Sequence, residues 1–447
     1  MDEIFSALDL NPQVEIFEKV ELPSRFAVSE LASSSIGAVG CALTGLLVDL
    51  GITKTASKAK VDQRLASLWF SQSIYPIDWQ LPPIWDSVAG DYQTKDGWIK
   101  LHTNLPHHRA AALSVLNCKA DKQTVADLVL EWNANELESE IVKSGGVAAM
   151  MRSRRQWQDH PQGKAISAEP LVRFSQPRNG TSCEWQATQA RPLKGLRVLD
   201  LTRVLAGPVC TRTLAGFGAN VLRIDPPGWD EANVVPDITL GKRCANLQLD
   251  KPHDRKIFES LLAQADVLVH GYRFGALDKL GYGAAARKEI SPNLIDVSLN
   301  AYGLSGNWAE RRGFDSLVQM SCGIANAGMH WVNTTKPTPL PVQALDHATG
   351  YLMAAAAIQL LRKAVVESTI GSAHLSLART AELLMAHPQH SDGQFNGKPL
   401  TQDFNPKIEH TPWGQSNRLK PALSITSSAM SWDLVANNLG SHKAAWQ

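Results

Sequence analysis

From Lys194 onward the chain alternates between short apolar runs and amphipathic stretches, and no other feature of the sequence narrows its possible folds so far. LRVLDLT (196–202) is continuously apolar enough for a strand buried on both faces. AGPVCTRTLAGFGA follows as a helix with Pro208 near its first turn, where a missing N–H goes unmissed. NVLRIDPP is a second strand, stopped by Pro226–Pro227. A loop through Gly241, Lys242 and Arg243 leads to the helix HDRKIFESLLAQA, the strand DVLVHGY and a further strand at Leu294–Leu299. Such βαβ units wind into a parallel sheet covered on both faces, with ligands at the carboxyl ends of its strands. The fold expected is α/β, a doubly wound Rossmann-like parallel sheet with a smaller mixed α+β domain beside it.

The large domain is expected over 194–385. Residues 1–70 read as an N-terminal helical segment and strand packing on it, and 71–160 as the small α+β domain. In that domain the turn at Asp96–Gly97 separates strand-like runs and helical spacing follows. Residues 161–193, rich in Pro, Gly, Ser and Gln, read as a linker, and 386–447 as an extended C-terminal tail with little core of its own. One repeat crosses these boundaries. FAVSELASSSIGAVGCALTGLL and KVDQRLASLWF follow the plan of Val342–Leu384 at an offset of roughly 316 residues: an acid, a helix of small residues, a loop and a strand-like run. Glu30 falls opposite Asp346, and a structural role suits Glu30 because capping acids are common.

A formal charge of +1 on 447 residues argues against nucleic acid or an acidic membrane as a chain-wide partner. Any anion site must come from a local cluster. Six cysteines (41, 118, 183, 210, 244 and 322) without a C-x-x-C pair suit a reducing compartment, so the expected location is the cytoplasm. The apolar runs Ile36–Val48 and Leu352–Leu361 are too short to cross a bilayer. His102, His107 and His108 lack an acid or cysteine at ligand spacing, so no metal site is expected.

The stretch LPVQALDHATGYLMAAAAIQLLRK brings Asp346 to the start of a helix. Asp in such a place is either a cap that accepts the free amides of the first turn or a carboxylate aimed at a substrate. The strand ends carry no G-x-G-x-x-G, no phosphate loop and no G-x-S-x-G elbow. They do carry cations: Arg203, Arg223, Lys242, Arg243, Arg273 and Lys279. At one end of a sheet these would form a local anion site.

Five segments now read together. KGLRVLDLTRVLAGPVCTRTLAGFGANVLRIDPP, GKRCANLQLD, ADVLVHGYRFGALDKLGYG, RRGFDSLVQMSCGIA and LDHATGY resemble, in order, the family III coenzyme A transferases, which include formyl-CoA and carnitine-CoA transferases and α-methylacyl-CoA racemases. The resemblance covers roughly 195–385. GDYQTKDGWIKLH resembles the family's small domain, which there follows the catalytic half and here precedes it. The resemblance implies a CoA-transferase that moves coenzyme A between an acyl-CoA thioester and a carboxylic acid, with Asp346 as nucleophile and an aspartyl covalent intermediate. It implies CoA contacts at Arg203, Leu205, Ala206, Tyr272, Arg273, Lys279, Asn300 and Tyr302, with Pro226 and Leu247–Asp250 along the way. Pro226 and Asn300 stand where the formyl-CoA branch has basic residues, so phosphate contacts are expected to move to Arg223, Lys242 or Arg273. No tightly bound cofactor is expected, only coenzyme A or acyl-CoA as substrate, and the protein is expected to be an interlocked homodimer. Two alternatives stay open: a racemase-like isomerase, although Phe314 replaces that branch's histidine and His347 diverges from Asp346 on the helix, and a non-catalytic CoA-ester-binding homologue.

Overall fold

The computed structural model describes residues 1–181, 184–389, 392–426 and 428–447, which leaves Cys183 outside the described residues. Its centre is a seven-stranded sheet. The strands that matter here are β1 (Ala59–Asp62, outside this sheet), β2 (Arg173–Phe174), β3 (Arg197–Leu201), β4 (Asn220–Asp225), β5 (Lys242–Asn246), β6 (Val267–His270), β7 (Ile295–Asn300) and β8 (Ser372–Ser376). The sheet runs in the order β5-β4-β3-β6-β7-β8-β2. All neighbours are parallel except β2, which pairs antiparallel with β8. Chain order reverses between β3 and β6, the crevice where doubly wound sheets place ligands. This is the α/β sheet that the alternating sequence predicts.

The helices used below are α1 (Val28–Asp49), α2 (Gln63–Trp69), α3 (Ala206–Gly216), α4 (Pro252–Ala263), α5 (Ala284–Ile290), α6 (Asp315–Cys322), α7 (Ala344–Glu367) and α8 (Leu377–Met385). One sheet face packs Val198, Val269 and Val297 into the main core with α3 and α7. The other packs Leu199, Leu222 and Leu268 against Phe258 and Leu262 of α4. The run Ala354–Ala357 is wholly buried, as small side chains let helices approach closely. At Gly350 a Cβ would stand 2.3 Å from the Ala206 carbonyl oxygen. Only glycine admits that contact between α7 and the start of α3.

The repeat is visible in the backbone. α1 and α7 start at the same offset and pack against each other. The residues before them share torsions: φ −73°, ψ 63° at Ala27 and φ −75°, ψ 63° at Gln343. Each helix leads to a short strand and then a second helix, β1 and α2 after α1, β8 and α8 after α7. KVDQRLASLWF is thus a strand only as far as Asp62, whose side chain caps α2 by accepting from the Leu65 amide at 2.9 Å. At 22 residues α1 has the length and hydropathy of a membrane span, more than Ile36–Val48 alone conveys, and 94% of its most apolar window is buried within the protein.

Two stretches differ from expectation. The segment expected as a linker forms a helix (Pro161–Ser167) and supplies β2 to the edge of the main sheet. The segment expected as an extended tail forms four strands among the described residues. Of these, Leu423–Ile425 pairs with β1, and Gly414–Arg418 pairs with Ile74–Pro76. Their partners lie hundreds of residues earlier, so local composition carries no sign of them. Residues 90–101 and 148–150 make a separate antiparallel sheet backed by helices Pro106–Leu116, Lys122–Val129 and Ala134–Lys143, with its own apolar cluster.

Candidate active site

At the carboxyl ends of β3 and β6 a cavity of about 160 Å³ is lined by Arg203, Val204, Leu205, Ala206, Tyr272, Asn300, Phe314 and Asp346. The turn after β3 makes one wall. Its Val204 holds φ at +64°, an uncommon conformation for a β-branched residue, and its amide donates to Glu231 Oε2 at 2.8 Å. Arg203 lies over the Trp229 ring, 4.0 Å from its centroid, and 5.5 Å from that of Tyr272. A guanidinium held between aromatic faces is oriented without losing its charge.

Asp346 is the third residue of α7, not its cap, and is buried. The first-turn amides serve a different acid. Asp315, the first residue of α6, accepts from the Asp346 amide through Oδ2 at 2.9 Å and also from the Leu345 amide. Its other oxygen accepts from Gln319 Nε2 at 2.5 Å, while Gln319 Oε1 accepts from the Leu340 amide at 2.7 Å. One strut thus holds the approach to α7, its first turn and the start of α6.

A helix N-terminus by itself favours an ionised carboxylate, but the surroundings of Asp346 act the other way. Burial, and then the nearby Asp315 carboxylate, push the Asp346 carboxyl well above its usual range. Burial likewise lifts Asp315 to about 6, against the pull of Gln319 and the two amides. Two buried acids this close resist carrying two charges together. The dipole of α7 is already answered by Asp315, so it does little for Asp346.

The other expected contacts divide. Arg203, Leu205, Ala206, Tyr272 and Asn300 line the cavity with Asp346. Asn300 also pins its own turn, donating to the Gly303 carbonyl and accepting the Gly303 amide, both at 2.7 Å. Arg273 lines a neighbouring groove, and Lys279 is exposed at the end of helix Ala276–Lys279, lining neither cavity. Three expected contacts fall inside the protein. Arg223 lies mid-strand in β4, wholly buried and bonded to Asp225 and Glu231. Lys242 starts β5 at the amino end, away from the ligand side, and donates to Asp200 Oδ2 at 2.9 Å and the Pro208 carbonyl at 3.0 Å. Tyr302 is buried against Trp308 with its hydroxyl 3.0 Å from Ser321 Oγ. The first two cations neutralise buried acids, Arg223 those of its own strand and the loop after it, Lys242 that of Asp200 two strands away, and have no free face for a phosphate.

The residue that sequence reasoning missed is Asp315. Its signal was an acid opening a helix one position after Phe314, which on its own reads as an ordinary helix start. The histidines near the site are neutral. His347 is buried against Phe70 with a ring-centroid distance of 5.3 Å, and burial pushes it down to about 3. His102 stacks on Phe314 at 4.1 Å, and burial lowers it to about 4.

The fold and site together define a doubly wound α/β protein with a buried aspartate at the ligand end of the sheet. Residues 193–406 match the family model of CoA-transferase family III. An acyl-CoA transferase of Gibberella moniliformis is 29% identical over 52% of this chain and 44% of its own length. An acetyl-coenzyme A transferase of Hypoxylon pulicicidum is 35% identical over 38% of this chain and 30% of its own length. The human succinyl-CoA:glutarate CoA-transferase is 32% identical over 36% and 39%. Among solved structures, Rv3272 from Mycobacterium tuberculosis matches with a TM-score of 0.41 and 29% identity, over 44% of this chain and 58% of that one. The chain spans less than half the length of the curated relatives it matches first.

Proposed function

We propose that this protein transfers coenzyme A from an acyl-CoA thioester to a carboxylic acid, with Asp346 as the covalent nucleophile. The supporting observation is the seat of Asp346: a carboxyl at the ligand end of a doubly wound sheet, in a cavity walled by the turn 203–206, within the segment that matches family III. An oxygen of the Asp346 carboxylate attacks the thioester carbon, the C–S bond breaks and CoA leaves as thiolate. The thiolate attacks the aspartyl carbonyl of the resulting mixed anhydride, releasing the donor acid and leaving an aspartyl-CoA thioester. The acceptor carboxylate then takes the CoA by the same two exchanges in reverse, and Asp346 is freed. Covalent catalysis of this kind divides one difficult exchange into easier ones.

The attacking species is the carboxylate, and burial beside Asp315 disfavours it in the empty site. The rate is therefore expected to climb as pH rises through the raised range of the pair. The cation Arg203, which lines the same cavity, favours the charged form once a ligand excludes water from it. Isomerisation has less support, because it needs a base at the α-carbon; His347 and His102 are outside the cavity lining. The reading extends to a homodimer in the cytoplasm, with CoA esters and small acids as its partners and no tightly bound cofactor.

Hydroxylamine trapping tests it. Full-length protein incubated with an acyl-CoA panel and hydroxylamine should yield a hydroxamate at residue 346, read by peptide mass spectrometry, and Asp346→Asn should yield none. Unmodified wild-type protein across the whole panel would refute the mechanism.

A further inference from the structure

The opposite face of the sheet carries a row of polar residues where a doubly wound fold ordinarily has apolar ones. Strand pairing places His270 of β6 beside Ser298 of β7, Ser298 beside His374 of β8, and His374 beside Arg173 of β2. Residues in register on neighbouring strands point to one face, so the four side chains form a line across four strands. They floor a groove of about 490 Å³ walled by residues 272–278 and by α5. Apolar side chains serve this face elsewhere, as Leu268 and Leu199 do under α4.

The row is partly paired and partly open. His270 Nε2 stands 3.2 Å from Asp296 Oδ1, and Arg287 holds the other oxygen, so Asp296 is already balanced. Ser298 Oγ bonds to His374 Nδ1 at 3.0 Å. Three buried atoms of the line lack a partner: His270 Nδ1, His374 Nε2 and Arg173 Nε. Buried polar atoms without partners are costly, and three together along one groove mark where a ligand's polar atoms belong. The charged lining is three arginines (173, 273 and 287) and two aspartates (278 and 296), and Glu169 outside it stands 3.8 Å from Arg173 Nη2, so the preference for an anion rests on the guanidinium fork of Arg173 and its unpartnered Nε.

We propose that this groove is a second binding site, for a small carboxylic acid whose carboxylate seats on Arg173 and the His374 edge. The site is independent of the covalent role of Asp346. Tyr272, Leu299 and Asn300 line both this groove and the Asp346 cavity, so an acid bound here rests against a wall of the catalytic pocket.

Calorimetric titration of the full-length protein with succinate, and separately with inorganic phosphate, tests the assignment. Succinate is expected to bind, tenfold or more weakly to Arg173→Leu and His374→Gln, and undiminished to Asp346→Asn. The Arg173 side chain is 42% exposed on an edge strand, so its variant should keep its melting temperature, which separates lost binding from lost folding. Absence of succinate binding, binding unchanged in both groove variants, or loss in Asp346→Asn alone would overturn the proposal. Phosphate binding without succinate binding would overturn the carboxylate assignment. The trapping experiment above can fail without touching this one, and the reverse holds.

Discussion

α1 and α7 begin with the same torsions, lie side by side and lead into the same succession of strand and helix. Each has an acid at its third position. Glu30 stands exposed, whereas Asp346 is buried in a cavity with a second carboxyl bonded to its own amide. The helix start is therefore a scaffold, and the chemistry comes from what faces it. α7 meets the turn after β3 and the first residue of α6. The approach to α1 meets instead the segment after α8, through the bridge from Phe26 to Pro388 and the Ala27 amide donating to the His387 carbonyl at 3.0 Å.

The largest effect expected is on turnover. Asp346→Asn should cut acyl transfer roughly a thousandfold or more, as loss of a covalent nucleophile does, while Glu30→Gln leaves it unchanged in the same assay. Equal losses would mean the two helix starts share a function. Next comes packing. Gly350→Ala forces a Cβ onto the Ala206 carbonyl and should destabilise by about 1–3 kcal/mol in denaturant melts. Its counterpart Ser34→Ala should cost less than about 1 kcal/mol; the opposite ranking would misplace the contact between α3 and α7.

A subtler effect concerns Asp315. Removing its charge as Asp315→Asn should move the midpoint of the trapping pH profile down by about one unit, because a like charge raises a neighbour's pKa. An unmoved midpoint would show that burial alone sets the Asp346 carboxyl. Stability carries the same sign. Both acids are raised in the folded state, so their contribution is fullest below the unfolded value near 4 and drains away as pH climbs through about 6 and beyond. Between pH 4 and 7 the wild type should lose on the order of 1–3 kcal/mol relative to the Asp315→Asn/Asp346→Asn double variant. Smallest of all, Glu30→Gln should shift stability by less than about 0.5 kcal/mol.

The sheet was legible in advance because apolar strands and helical spacing are local signals, and LRVLDLT or DVLVHGY can be read where they stand. The common start of the two long helices was legible for the same reason. Asp315 was not, since its meaning lies in an amide 31 positions away in the chain. Arg223 and Lys242 misled because a cation near a strand looks the same in sequence whether it faces a ligand or a buried acid elsewhere in the sheet. Of the four strands after residue 400, two close local hairpins, and the other two were hidden by distance because Ile74–Pro76 and β1 complete them.

Leu423–Ile425 closes onto β1, and both belong to a sheet that also holds Val14–Phe17. Trp432 stacks on Trp69 of α2 beside this seam, 5.6 Å between ring centroids. Pairings of such long sequence separation are slow to form. Until Leu423–Ile425 docks, β1 therefore lacks its outer partner, and the part of α1 that this strand covers stays open.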